Sequence, residues 1–157
     1  MKNIVAWLIA VACALPLSVA AQALPVKFDP TRDAARDVAA AAATARAQGK
    51  RVLVDVGGEW CPWCHILDRF VAANADVQAL TDANYVWVKV NWSKENKNEA
   101  LLSRWPAING YPHLFVLDGD GKLLQSQDTG LLEAGKDYDR AKFIAFLRKW
   151  APVRGTP

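Results

Sequence analysis

One continuous stretch, "RVLVDVGGEWCPWCHILDRFV" from Arg51 to Val71, narrows the fold of this 157-residue chain more than any other feature. Arg51-Val52-Leu53-Val54-Asp55-Val56 is a short β-branched run without polar alternation, the pattern of a strand buried on both faces. Gly57-Gly58 ends it. Pro62 has no backbone N–H to donate and suits the first position of a helix. Cys61 then falls at the N-cap, and Cys64 lies one turn into a helix running through Ile66, Leu67, Phe70 and Val71. Two thiols therefore sit at a strand-to-helix turn. Cys61-Pro62-Trp63-Cys64 is a Cys-x-x-Cys pair suited to thiol–disulfide exchange, but with His65 the same residues spell the attachment pattern of a c-type haem.

The elements around this stretch follow from local signals. Asp29-Pro30-Thr31 reads as an N-cap followed by proline at the first helical position, opening an alanine-rich helix that runs to Gln48 and stops at Gly49. Charges at Arg32, Asp33, Arg36, Asp37 and Arg46 make this an ordinary packed helix and not a low-complexity tract. A short helix around Asp76 to Thr81 precedes a second strand, Tyr85 to Val90. The polar segment Ser93 to Asn98 leads to a helical turn near Glu99 to Trp105. Next comes a strand, His113 to Leu117, which "DGDG" joins as a hairpin to Lys122 to Ser126. An amphipathic helix, Tyr138 to Trp150, closes the chain. Helix, strand, helix, strand, helix, hairpin and closing helix together call for an α/β fold with a central mixed sheet flanked by helices on both faces.

A composition of 52% hydrophobic and 22% charged residues fits one globular domain. The net charge is +3 and the basic residues are scattered, which argues against a nucleic-acid partner. Residues 1–23 read as a secretory signal: Lys2 is the positive start, Ile4 to Ala14 the apolar run, and Ala21-Gln22-Ala23 the small-residue cleavage site. The mature domain is then 24–157. A retained membrane anchor is the competing reading, but Pro16 interrupts the run, which is shorter than the roughly 20 apolar residues a spanning helix needs. Lipid attachment at Cys13 is disfavoured because apolar sequence continues past it. The expectation is a periplasmic or secreted protein with no membrane anchor after cleavage.

Signal removal also takes away Cys13 and leaves Cys61 and Cys64. A bridge between residues so close closes almost no loop and contributes little stability. In an oxidising compartment the pair works as a redox couple only if something reduces or oxidises it. Exchange needs one exposed thiolate as nucleophile and a second thiol to resolve the mixed disulfide. The free N–H groups and positive end of the helix favour the thiolate of Cys61 over an ordinary thiol. Cys61 is thus expected to attack and Cys64 to resolve. Trp60 and Trp63 flank the pair with flat apolar surface suited to an extended peptide, although Trp60 equally suits a core position.

This constellation resembles the thioredoxin superfamily from about Arg51 to Trp150. Its members carry a strand ending in Asp shortly before Trp-Cys-x-x-Cys, here "VLVDVGGEWCPWC". The resemblance implies a buried Asp55 that takes the proton of Cys64, and burial raises a carboxyl pKa toward the range useful for that task. It also implies a cis-proline opposite the dithiol. "NGYPHLFVLDGDGK" matches that position, making Pro112 the cis candidate and Tyr111 the residue whose backbone pairs with a substrate strand. Lys89 in "VKVN" matches a family lysine near the buried Asp, or is a solvated strand lysine. Pro62-Trp63 departs from the Gly-Pro of thioredoxin and is closer to the Pro-aromatic pair of glutaredoxins and the Pro-His pair of periplasmic oxidases. His113 stands where many members have Thr. Export signal, leading helix and "WCPWCH" together look most like small secreted thioredoxin-like proteins of the disulfide-reductase type. Protein substrates with disulfides or thiols and a membrane electron donor are implied.

Other classes remain open at this point. A c-type haem needs His65 as axial ligand and His113 opposite, since the chain beyond Met1 contains no Met. Zinc on two Cys and two His meets an awkward geometry because His65 adjoins Cys64. A binding module without catalysis has no use for paired thiols at a helix start. The expectation is no metal and no cofactor besides the Cys61–Cys64 pair, with His65 tuning Cys64 or solvated.

Overall fold

The structure, a computed structural model, describes residues 23–153. The signal sequence and Cys13, apart from Ala23, lie outside the described residues. A four-stranded sheet has the spatial order β2-β1-β3-β4, formed by β1 (Arg51–Gly57), β2 (Tyr85–Asn91), β3 (His113–Leu117) and β4 (Leu123–Asp128). β1 pairs parallel with β2, Arg51 facing Tyr85, and antiparallel with β3, Val52 facing Leu117. β3 and β4 are antiparallel, with a register shift at Val116/Leu117.

β1 is central, which is why its side chains are apolar in succession. Val52, Val54 and Val56 pack with Val86, Val88, Val90 and Phe115 against α1 (Ala34–Gln48) and α4 (Glu99–Leu102). Leu53, Leu114 and Val116 pack on the other face beneath α2 (Pro62–Ala73), α3 (Ala75–Asn84) and α5 (Arg140–Lys149). Leu67 and Phe70 anchor α2 to that face. Full burial of each is worth about 1.5–3 kcal/mol. The expected α/β architecture, a mixed sheet covered on both faces, is what the chain adopts.

The starts of α1 and α5 differ from the sequence reading. α1 begins at Ala34, not at Pro30, because the Asp29 side chain turns back to accept from the Thr31 N–H at 2.8 Å and from its hydroxyl. Asp33 caps the helix instead, accepting from the Arg36 N–H at 3.1 Å. Its end is as expected: Gly49 takes φ +63°, a left-handed conformation that glycine adopts without steric cost. α5 begins at Arg140 because Asp139 is the better cap, accepting from the Lys142 N–H at 3.0 Å. Tyr138 belongs instead to a two-stranded hairpin, β5 (Glu133–Ala134) and β6 (Asp137–Tyr138), that follows a 3-10 turn at Thr129–Leu132. No periodic pattern in the sequence announces that hairpin. No helix among the described residues is long and apolar enough to cross a membrane.

Candidate active site

The dithiol sits where β1 hands the chain to α2. Cys61 is the N-cap of α2, in extended backbone, and its Sγ accepts from the Cys64 N–H at 3.2 Å; Pro62 occupies the first turn. This placement follows from Pro62, which cannot donate, and from the Gly58 carbonyl, which accepts from the Cys61 N–H at 2.9 Å and folds the chain into the helix. Cys61 and Cys64 are joined as a disulfide with their Cα atoms 5.3 Å apart. Cys61 is 2% exposed and Cys64 fully buried. The sequence reading called for an exposed nucleophile, but Phe28, Trp63 and Tyr111 pack around the pair and leave only a small opening to Cys61.

Two glycines make this packing fit. A methyl group at Gly57 would overlap Cys64 Sγ, so the sulfur lies directly against the β1 backbone. At Gly58 a methyl would overlap the Trp60 ring, which folds back over it. Trp60 donates Nε1–H to the Trp92 carbonyl at 2.7 Å and packs edge-on against Trp92 and Tyr111. It is 52% exposed, so of its two sequence readings the surface one holds. Trp63 packs edge-on against Tyr138, its ring half-buried. The Tyr111–Pro112 bond is cis. The Pro112 carbonyl is held by the Thr129 hydroxyl at 2.5 Å, an anchor that the sequence did not reveal.

Asp55 is two residues before Gly57 on β1, so it points to the same face as the side of Gly57 that touches Cys64. It is fully buried. Oδ2 accepts from Lys89 Nζ at 2.9 Å and from Trp87 Nε1 at 3.3 Å, while Oδ1 has no hydrogen-bond partner among the described residues. Burial pushes its carboxyl above the usual range, opposed by Lys89. Lys89 is itself buried, which corrects the solvated alternative: its ammonium spans Asp55 and the half-exposed Asp68, 2.7 Å away on α2. Burial lowers its pKa, but the two carboxylates outweigh that and the net shift is upward, keeping it protonated. Asp68 carries no motif signal; its place one turn past Cys64 was the available clue.

The two histidines stand apart. His65 Nε2 lies 2.9 Å from the Glu59 carbonyl. His113 packs on Phe115 and places Nε2 2.8 Å from Ser126 Oγ, and burial lowers its pKa. Both sulfurs are bonded to each other, and each imidazole has its contact away from them. Among the described residues no cluster of His, Cys, Asp or Glu has the arrangement of a metal site.

A family model described as thioredoxin-like matches residues 33–119. Over 113 residues the chain is 33% identical to the thiol:disulfide interchange protein DsbD of Pseudomonas fluorescens, and over 102 residues 30% identical to DsbD of Colwellia psychrerythraea. Those alignments take in 71% and 64% of this chain but 18% and 17% of the relatives, so the chain spans less than a fifth of their length. Among solved structures, a disulphide isomerase from Xylella fastidiosa Temecula1 superposes with a TM-score of 0.67 at 26% identity, covering 81% of this chain and 98% of that one. The C-terminal domain of DsbD from Neisseria meningitidis, in its oxidised form, gives 0.57 at 20% identity, a likeness of fold, over 79% and 98% of the two chains.

Proposed function

The chain belongs to the thioredoxin-like family, and from that premise we propose that it is a thiol–disulfide oxidoreductase that reduces or exchanges disulfides of protein substrates through Cys61 and Cys64. The observation that carries this reading is the pair itself: two cysteines bonded to each other at a helix N-terminus, packed against Tyr111 of the cis Tyr111–Pro112 bond and against the end of the strand that holds the buried Asp55.

In the reduced protein the Cys61 thiolate, favoured by the helix end, attacks a substrate disulfide. One Cys61–substrate bond forms, and the other substrate sulfur leaves as a thiolate and takes a proton. Cys64 then gives its proton to the Asp55 carboxylate and attacks Cys61 Sγ. The internal disulfide forms as the Cys61–substrate bond breaks, and two electrons have passed to the substrate. Lys89 stabilises the charge on Asp55 when it is ionised. Trp60, Pro62, Trp63, Tyr111 and Pro112 form the substrate-binding surface around the pair, where an extended strand meets the Tyr111 backbone. His65, held by the Glu59 carbonyl at the mouth of α2, tunes the pair from outside.

Turnover requires a dithiol donor to restore Cys61 and Cys64, and we assign that part to a membrane electron carrier. No other cofactor enters this mechanism. Lys2, the Ile4 to Ala14 run and Ala21-Gln22-Ala23 support export to a periplasmic or extracellular space. Replacing the resolving thiol tests the mechanism. Cys64→Ser should accumulate mixed disulfides with substrate proteins in cells, seen as bands that collapse under reductant. A clean absence of such bands would favour a binding module without catalysis.

A further inference from the structure

Phe28 lies on the segment that precedes α1, yet it is 3% exposed and packs against Cys61 and Cys64. Three contacts fix it. Its N–H donates to Glu59 Oε1 at 3.0 Å, its ring lies 4.2 Å from Lys89 Nζ, and it faces Gly57, where an added methyl would come within 3.1 Å of the ring. The segment is tied down further along, where Asn96 Nδ2 donates to the Pro30 carbonyl at 2.9 Å. On the outer side of Lys89 a cleft of about 280 Å³ is lined by Pro25, Val26, Asp68, Trp87 and Lys89. Val26 and Asp68 are open to solvent there, so water reaches the ammonium from that side.

From this geometry we infer that Phe28 is a positioning residue for the resolving step, its ring standing between the Lys89 ammonium, which the cleft water reaches, and Cys64 Sγ, so that this water stays away from the thiol and the inner side of Asp55. The inference rests on the thiol–disulfide mechanism proposed above. Behind the ring the proton passes from Cys64 Sγ to Asp55 without solvent. The charged and titratable groups facing this chamber are Lys89 from β2, Asp68 from α2, Tyr138 from the β5–β6 hairpin and Glu59 at the Phe28 N–H. A smaller side chain admits water, and water eases ionisation of both the buried thiol and the buried carboxyl, so the resolving step titrates at lower pH.

The test uses reduced protein carrying Cys13→Ala and the chromogenic disulfide 5,5′-dithiobis(2-nitrobenzoate). Attack by Cys61 releases one coloured thiolate, and resolution by Cys64 releases a second. The rate of the second release is followed from pH 5 to 9. Phe28→Ala should move its midpoint down by about one pH unit, and Phe28→Leu, which keeps an apolar partition, should restore it. A folded Phe28→Ala protein with an unmoved midpoint overturns the inference. If Phe28→Ala does not fold, Glu59→Ala, which frees the Phe28 N–H, should shift the midpoint in the same direction, and no shift overturns the inference equally. A parent protein that gives no first release would contradict the oxidoreductase reading itself.

Discussion

Cys61→Ser is expected to reduce disulfide-reductase turnover by at least about a thousandfold, because the serine hydroxyl does not ionise at neutral pH and the attacking atom is lost. The fold should survive. Cys61 is the N-cap of α2 and accepts the Cys64 N–H there, a position where serine is among the preferred residues. Reduced parent and variant should therefore melt at similar temperatures while differing in activity, which separates chemistry from stability. The assay is reduction of a cystine peptide with a dithiol donor in excess. A variant retaining a tenth of parental turnover would mean that Cys61 is not the nucleophile.

Asp55→Asn should slow resolution of the mixed disulfide by about 10²–10⁴-fold near neutral pH, the usual span for losing a positioned proton acceptor. Attack by Cys61 should be affected far less. Lys89 is not stranded by the change, since Asp68 remains 2.7 Å from its ammonium. The same substitution has a signature in stability. Burial raises the folded pKa of Asp55 above its unfolded value, so the stability carried by its protonated form is fully present below the unfolded pKa. That contribution is lost as pH rises through the raised folded pKa. Denaturation midpoints measured between pH 3 and 9 should show this decline in the parent and lose it in Asp55→Asn. An unchanged rate of resolution would remove Asp55 from the proton path.

Much of this site was legible because its chemistry is local. Proline at the first helical position fixes Cys61 as the cap, a β-branched run fixes β1 as a central strand, and Tyr111-Pro112 precedes a strand. What sequence left out depends on contacts between distant segments. Phe28 reaches the dithiol only after the segment before α1 folds across β1, and nothing in its neighbours marks it. Gly57 looked like a strand terminator, yet its lack of a side chain makes room for Cys64 Sγ. Lys89 was undecided between burial and solvent because strand alternation says nothing when both faces are covered; the choice was made by two carboxylates on other elements. The ends of α1 and α5 moved because aspartates compete as caps, and Asp29 closes its own turn at Thr31.

The mechanism requires Cys61 and Cys64 to cycle as one two-electron couple. Equilibrating the purified protein in glutathione buffers of graded ratio, with the fluorescence of Trp60 and Trp63 beside the pair as readout, tests it most directly. One reversible transition is expected, absent from Cys61→Ser. A midpoint near the roughly −270 mV of thioredoxin assigns the protein to reduction, and one near the roughly −120 mV of a strong oxidant assigns it to disulfide insertion. A pair that stays in one state across the whole range, accessible to neither reduction nor oxidation, would mean that Cys61 and Cys64 do not cycle.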